Sequence, residues 1–139
     1  MIRVKSMKSA SRALAVLLVS GAALGPLPLF AAHLNPAIGQ GQLVDRLGAA
    51  QAPPLIDVRT PAEYRSGHIP GAINIPLQDF PRRFAELDGY RDREVVLYCE
   101  TGARADYGGG WLRSQGFDEL RFLDGHMGAW RRAGLPTER

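Results

Sequence analysis

One stretch of the chain, residues 93–106, reads REVVLYCETGARAD and joins an apolar run to a glycine-containing segment and then to a helical pattern. The run is nearly continuous in its apolar side chains, so it predicts a strand over residues 93–99 that is covered on both faces. A helix is predicted over residues 102–117, ending at Gly116. The single cysteine, Cys99, therefore lies where a buried strand gives way to a helix.

The same alternation of strand and helix extends to both sides of this stretch. Strands are predicted over residues 53–59, 71–77 and 119–125, and helices over residues 35–51, 60–67, 78–88 and 126–134. Short strands that alternate with helices pair in parallel, and each helix crosses over one face of the sheet. The sequence therefore predicts an α/β fold in a single domain, which the length of 139 residues also favours.

The positive charge of the chain is concentrated at its beginning. The formal net charge is +3, but Arg3, Lys5, Lys8 and Arg12 fall within the first twelve residues, and no acidic residue precedes Asp45. Without these four cations, 13 arginines remain against 14 acidic residues. A basic surface for a nucleic-acid backbone is therefore not expected, and neither is a nucleic-acid partner.

The first 32 residues have the pattern of a signal peptide. The cationic residues precede an apolar run over residues 13–24, which Gly25 and Pro26 interrupt. This run is shorter than the stretch of about 20 apolar residues that spans a membrane. We therefore expect a signal peptide over residues 1–32, and a domain over residues 33–139 that works in the periplasm without contact to a membrane after cleavage. The alternative is an uncleaved membrane anchor.

Cys99 has no partner cysteine in the chain, although oxidising compartments favour disulfides. A lone thiol in such a compartment is either a buried, inert residue or a reactive group. In parallel sheets, chemistry collects beyond the carboxyl ends of the strands, where Cys99 lies. Gly102 permits a turn that directs backbone N–H groups and the following helix N-terminus towards the sulfur, which favours a thiolate. Arg104 adds a positive charge suited to an anionic substrate, whereas the carboxylate of Glu100 opposes one.

Three segments resemble the rhodanese-type sulfurtransferases. CETGAR, residues 99–104, resembles the Cys-x-x-Gly-x-Arg loop of that family, LIDVRTPAEYRSGHIPGAINIP, residues 55–76, resembles its N-terminal signature, and LDGHMGAW, residues 123–130, is similar to its C-terminal signature. The three segments occur in the order of the family and span nearly the whole expected domain. The resemblance implies a rhodanese-like α/β domain with a central, mainly parallel five-stranded sheet flanked by helices.

The resemblance also implies a reaction and a set of residues for it. Cys99 would be the catalytic nucleophile, which accepts a sulfane sulfur from a small anion such as thiosulfate and becomes a persulfide. A thiol or cyanide would then take the sulfur, and a thiol-containing protein is an alternative acceptor. No metal or organic cofactor is implied, and the three histidines are too scattered for a metal site. The substrate-binding loop would consist of Glu100, Thr101, Gly102, Ala103 and Arg104, supported by Asp57 and Arg59.

Other functions remain as alternatives. Cysteine phosphatases hold phosphate in a loop whose arginine lies six residues after the cysteine, whereas Arg104 lies five residues after Cys99 and predicts a tighter loop. A thiol redox protein and a non-catalytic rhodanese-like binding module are the other two.

The chain departs from the family at His126, which follows Gly125 where the family has a second glycine. The glycines at 108–110 predict either a helix kink or a close approach by another backbone.

Overall fold

The computed structural model of the protein describes residues 36–139, so the predicted signal peptide and its cleavage site lie outside the described residues. Five strands form one sheet in the order β1-β5-β4-β2-β3, and every neighbouring pair is parallel. This arrangement confirms the α/β fold with a central parallel sheet. The strands are β1 (Ala37–Ile38), β2 (Leu55–Asp57), β3 (Ile73–Asn74), β4 (Val95–Tyr98) and β5 (Leu120–Leu123).

Helices cover both faces of the sheet. Two 3₁₀ segments, Leu77–Asp79 and Phe84–Tyr90, flank the third helix. No helix within residues 36–139 is long and apolar enough to cross a membrane. The helices are α1 (Gln40–Gly48), α2 (Pro61–Ser66), α3 (Phe80–Arg83), α4 (Ala103–Ser114) and α5 (His126–Arg132).

Strand β4 lies at the centre of the sheet and divides the hydrophobic core in two. Val95 and Leu97 point to one face, where α4 and the segment around Phe80 cover them, and Val96 and Tyr98 point to the other, where α1 and α5 pack. All four β4 residues are fully buried. Because side chains alternate along a strand, the next residue, Cys99, falls on the α4 side of the sheet.

The predictions were wrong for two segments. Within the helix predicted over residues 35–51, Ala37–Ile38 is instead strand β1, which pairs with Phe122 and Leu123, and α1 begins only at Gln40. A two-residue strand is too short for its own periodicity, and pairing with β5 determines its conformation. Residues 78–88 form short 3₁₀ and α-helical pieces rather than one helix.

The glycines of α4 allow aromatic side chains to pack against the helix backbone. A Cβ atom on Gly108 would lie 2.9 Å from the ring of Phe80, and one on Gly109 would lie 2.3 Å from the ring of Phe122. Gly110 faces open space. Of the two predicted explanations, a close approach therefore applies, but the approaching groups are side chains of neighbouring elements and not another backbone.

Candidate active site

Cys99 follows the last residue of the central strand, at the carboxyl edge of the sheet. The residue is only 1% exposed. Its Sγ accepts a hydrogen bond from the backbone N–H of Gly102 at 3.0 Å, so the loop folds back over the sulfur. Helix α4 begins at the next residue, Ala103, and its positive N-terminal end is directed towards the same place. A negative charge on sulfur is stabilised by both the N–H group and the helix end.

Gly102 occupies a position that only glycine fits. Its φ angle is +127°, a conformation that side-chain-bearing residues rarely adopt. A Cβ atom there would also lie 3.0 Å from Nε2 of His126, which packs against the loop. Both the turn and the close approach therefore require glycine at the residue whose N–H contacts the sulfur.

Arg104 is bound to an acidic residue of α2. Its Nη1 and Nη2 donate hydrogen bonds to the two carboxylate oxygens of Glu63 at 2.7 and 2.8 Å. Glu63 also accepts from the backbone N–H of Thr60 in the capping box that begins α2. The hydrogen bond from Arg104 lowers the pKa of Glu63 to about 2. The cation predicted for the substrate rim is therefore paired with a carboxylate, and its charge is largely neutralised.

The carboxylate of Glu100 is directed towards α5 rather than free in the loop. Nη1 of Arg131 donates to it at 3.2 Å, Nη2 of Arg131 makes a second, shorter contact, and Nη1 of Arg59 lies 3.6 Å away. The Glu100 carbonyl also accepts from the backbone N–H of Gly128 at 3.1 Å. The negative charge that the sequence places next to the nucleophile is thus neutralised by two arginines.

Asp57 and Arg59 form a buried ion pair at the end of β2. Their exposed fractions are 0% and 1%, and Nη2 of Arg59 donates to Oδ2 of Asp57 at 2.7 Å. The same nitrogen also donates to the Gly67 carbonyl at 2.8 Å. This geometry buries Arg59 at the end of β2, away from a solvent-exposed substrate rim, with its Nη1 atom 3.6 Å from the Glu100 carboxylate of the loop.

The sulfur-bearing loop thus brings together most of the predicted residues. Thr101 and Ala103 are exposed on it, while Gly102 is buried beneath. Two residues that sequence reasoning did not assign to the site, Glu63 and Arg131, neutralise its charges. The Thr60-x-x-Glu63 spacing is a sequence signal for a helix cap, but the partnership with Arg104 depends on tertiary packing. Arg131 lies in the last turn of α5, and its pairing with Glu100 likewise depends on tertiary packing.

Comparison with known proteins relates the chain to one family of domains. The family model for the rhodanese-like domain matches residues 40–133. A sulfurtransferase of Allochromatium vinosum is 39% identical over 99 residues, which cover 71% of this chain and 91% of that protein. An HTH-type transcriptional regulator of Mycobacterium tuberculosis is 42% identical, but the chain spans only 44% of its length. The solution structure of a rhodanese-like domain from Anabaena is 32% identical, with a TM-score of 0.65 over 74% of this chain and 78% of that one.

Proposed function

The chain belongs to the rhodanese-like domain family, and from this premise we propose that it is a sulfurtransferase that works through a persulfide of Cys99. The observation that carries the proposal is the 3.0 Å hydrogen bond from the Gly102 N–H to Sγ of Cys99 at the N-terminus of α4. The sulfurtransferase of Allochromatium vinosum, which this chain covers almost completely, supports the same reaction type.

In the first step, the thiolate of Cys99 attacks the outer sulfur of a donor such as thiosulfate. A new S–S bond forms at Cys99 while the S–S bond of thiosulfate breaks, and sulfite leaves with the electron pair of that bond. The persulfide keeps one negative charge on its outer sulfur. The Gly102 N–H group and the N-terminal end of α4 are placed to stabilise this charge.

In the second step, an acceptor attacks the outer sulfur of the persulfide. A thiolate yields a new persulfide and cyanide yields thiocyanate, and in both cases the Cys99 thiolate is regenerated. The 1% exposure of Cys99 suits the transfer of a single sulfur atom more than that of a bulky group. A thiol-containing protein is the alternative acceptor, and its thiolate would attack the same outer sulfur.

Intact mass spectrometry tests this function. The domain, incubated with thiosulfate, should gain the mass of one sulfur atom and lose it on addition of cyanide or a thiol, and Cys99→Ala should gain nothing. Glutathione persulfide serves as a second donor. Sulfur uptake from glutathione persulfide but not from thiosulfate would exclude thiosulfate as the donor and would still support sulfur transfer. Failure with both donors, in a folded protein whose thiol reacts with iodoacetamide, would contradict sulfur transfer and favour the phosphatase, redox or binding alternatives.

We also propose that residues 1–32 act as a signal peptide that exports the domain to the periplasm. The clustered cations and the short apolar run support this. Expression of the full chain in a bacterial host, followed by fractionation and N-terminal sequencing, should yield a shortened protein in the periplasmic fraction. A full-length protein in the membrane fraction would favour the anchor instead.

A further inference from the structure

A histidine side chain contacts both ends of the loop that holds the candidate nucleophile. Nδ1 of His126 accepts a hydrogen bond from the backbone N–H of Cys99 at 3.3 Å. Nε2 of the same ring faces Gly102, where a Cβ atom would lie only 3.0 Å away. The imidazole therefore touches the residue that bears the sulfur and also the residue whose N–H donates to that sulfur.

The hydrogen bond from Cys99 determines the protonation of the ring. An imidazole nitrogen that accepts an N–H carries no proton, so His126 is neutral and its proton lies on Nε2. Burial lowers the pKa of His126, against the opposing effect of the Asp106 and Asp124 carboxylates. These two residues belong to α4 and to the end of β5.

Besides the sulfur of Cys99, which carries a negative charge as a thiolate, the neighbouring elements bring an uncharged side chain and an ion-paired one. Helix α1 contributes the uncharged Gln40, whose side-chain amide donates to the Asp124 carbonyl at 2.9 Å. In the loop, Glu100 is paired with Arg131, the nearest cation along α5. A neutral imidazole is therefore favoured at neutral pH, and protonation requires an acidic solution.

The backbone of His126 is in an unusual conformation. Its φ angle is +52°, in the left-handed region that glycine adopts freely and that strains the backbone of other residues. Glycine would fill the turn at lower conformational cost, yet it would supply neither the acceptor for Cys99 nor the contact with Gly102. A strained residue whose side chain contacts the nucleophile's own loop points to a role in the reaction.

We propose that His126 is a positioning residue for sulfur transfer, whose neutral imidazole fixes the Cys99 amide and packs against Gly102 so that the Gly102 N–H stays on the sulfur. This inference rests on the proposed function. Protonation of the ring places an N–H opposite the Cys99 N–H, breaks the hydrogen bond and loosens the loop. The reactivity of Cys99 therefore decreases in acidic solution as His126 becomes charged.

Three substitutions separate this role from simple packing. His126→Asn keeps an acceptor close to the position of Nδ1, tolerates a positive φ angle and does not titrate. His126→Gln places its amide nearer the position of Nε2 and is the matched control. His126→Gly removes the side chain and relieves the backbone, so this variant should fold at least as well as the parent, which urea denaturation verifies.

The rate of Cys99 alkylation by iodoacetamide, measured against pH, reports on the loop without any sulfur donor. In the parent, the alkylation rate should show an inflection at a pH below the ordinary range of histidine pKa values. This inflection should coincide with the titration of the His126 imidazole and with a shift of the Cys99 amide resonance in NMR spectra. Persulfide formation at neutral pH should fall about three- to tenfold in His126→Gly and His126→Gln, as expected for one lost hydrogen bond, and His126→Asn should restore most of it.

Identical pH profiles and identical rates in all four proteins would overturn the positioning role, as would rates in His126→Asn no higher than those in His126→Gln. The proposed sulfur transfer and the positioning role of His126 can be contradicted independently of each other. Absence of sulfur uptake in every protein would contradict the proposed function, while the alkylation profiles would still decide whether His126 positions Cys99.

Discussion

Arg104 in α4 donates two hydrogen bonds to the carboxylate of Glu63 in α2, at 2.7 and 2.8 Å. The arginine that follows the nucleophile by five residues is thus already neutralised when a donor approaches. Attraction of an anionic donor therefore relies mainly on the Gly102 N–H and the N-terminus of α4. If thiosulfate is the donor, as proposed, we expect Glu63 to control how strongly the loop attracts it.

Substitution Glu63→Gln should release the charge of Arg104 and improve the use of thiosulfate. One additional cation near the loop contributes about 1 kcal/mol, so the KM for thiosulfate should fall about fivefold with little change in kcat. Steady-state kinetics with cyanide as acceptor measure both constants. The control is Glu86→Gln, which unpairs Arg83 in an exposed ion pair of the same kind. An unchanged KM in Glu63→Gln would mean that Arg104 does not act on the donor.

The same ion pair should make stability depend on pH. Because the folded-state pKa of Glu63 is lowered from 4.5 to about 2, its contribution is present above about pH 4.5 and is lost as the pH falls towards 2. Urea midpoints should decrease through this window by a smaller amount in Glu63→Gln than in the parent. Arg104→Gln should also show a smaller decrease than the parent, in part because the hydrogen bonds from Thr60 still lower the pKa of Glu63, and the double variant should behave like Glu63→Gln. Independent, additive effects would show that the two side chains do not interact in solution.

Substitution Arg131→Gln should raise the KM for thiosulfate, which is the opposite of the effect expected for Glu63→Gln. Arg131 neutralises Glu100, and without it only Arg59, at 3.6 Å, remains beside that carboxylate. The unpaired negative charge next to Cys99 should raise the KM for thiosulfate several-fold, and added salt should reduce the difference. Substitution Arg83→Gln removes the same formal charge from an exposed ion pair of another helix and serves as the control. Equal effects of the two substitutions would indicate a general charge effect rather than release of Glu100.

The fold was predictable because its signals are local. The apolar run of β4, the glycine at 102 and the helix after it appear in the sequence in the order that a parallel α/β unit requires. Strand β1 was missed because two residues carry no periodicity, and Ile38 is in a strand only because Leu123 pairs with it. The partners of the loop charges were missed for a related reason, since 41 residues separate Arg104 from Glu63 and 31 separate Arg131 from Glu100.

Removal of one member of the buried Asp57–Arg59 pair should destabilise the domain severely. Asp57→Ala leaves the guanidinium of Arg59, which is 1% exposed, without its carboxylate, at a cost of about 3–5 kcal/mol. Urea denaturation should register this as a much lower midpoint. The double variant Asp57→Leu with Arg59→Met should recover much of the loss, because it removes both charges. A mild effect of Asp57→Ala alone would indicate that water or another group reaches the guanidinium.

The adjacent glycines of α4 offer a matched test of the packing that supports the loop. A methyl group at Gly109 would meet the Phe122 ring at 2.3 Å, so Gly109→Ala should destabilise the domain by about 1–3 kcal/mol. Gly110 faces open space on the same helix, and Gly110→Ala should instead stabilise it by about 0.5–1 kcal/mol through helix propensity. Chemical denaturation of the two variants gives both values. If Gly109→Ala were as stable as Gly110→Ala, the Phe122 ring would have to move freely away from α4, and the close packing of helix and sheet described here would be incorrect.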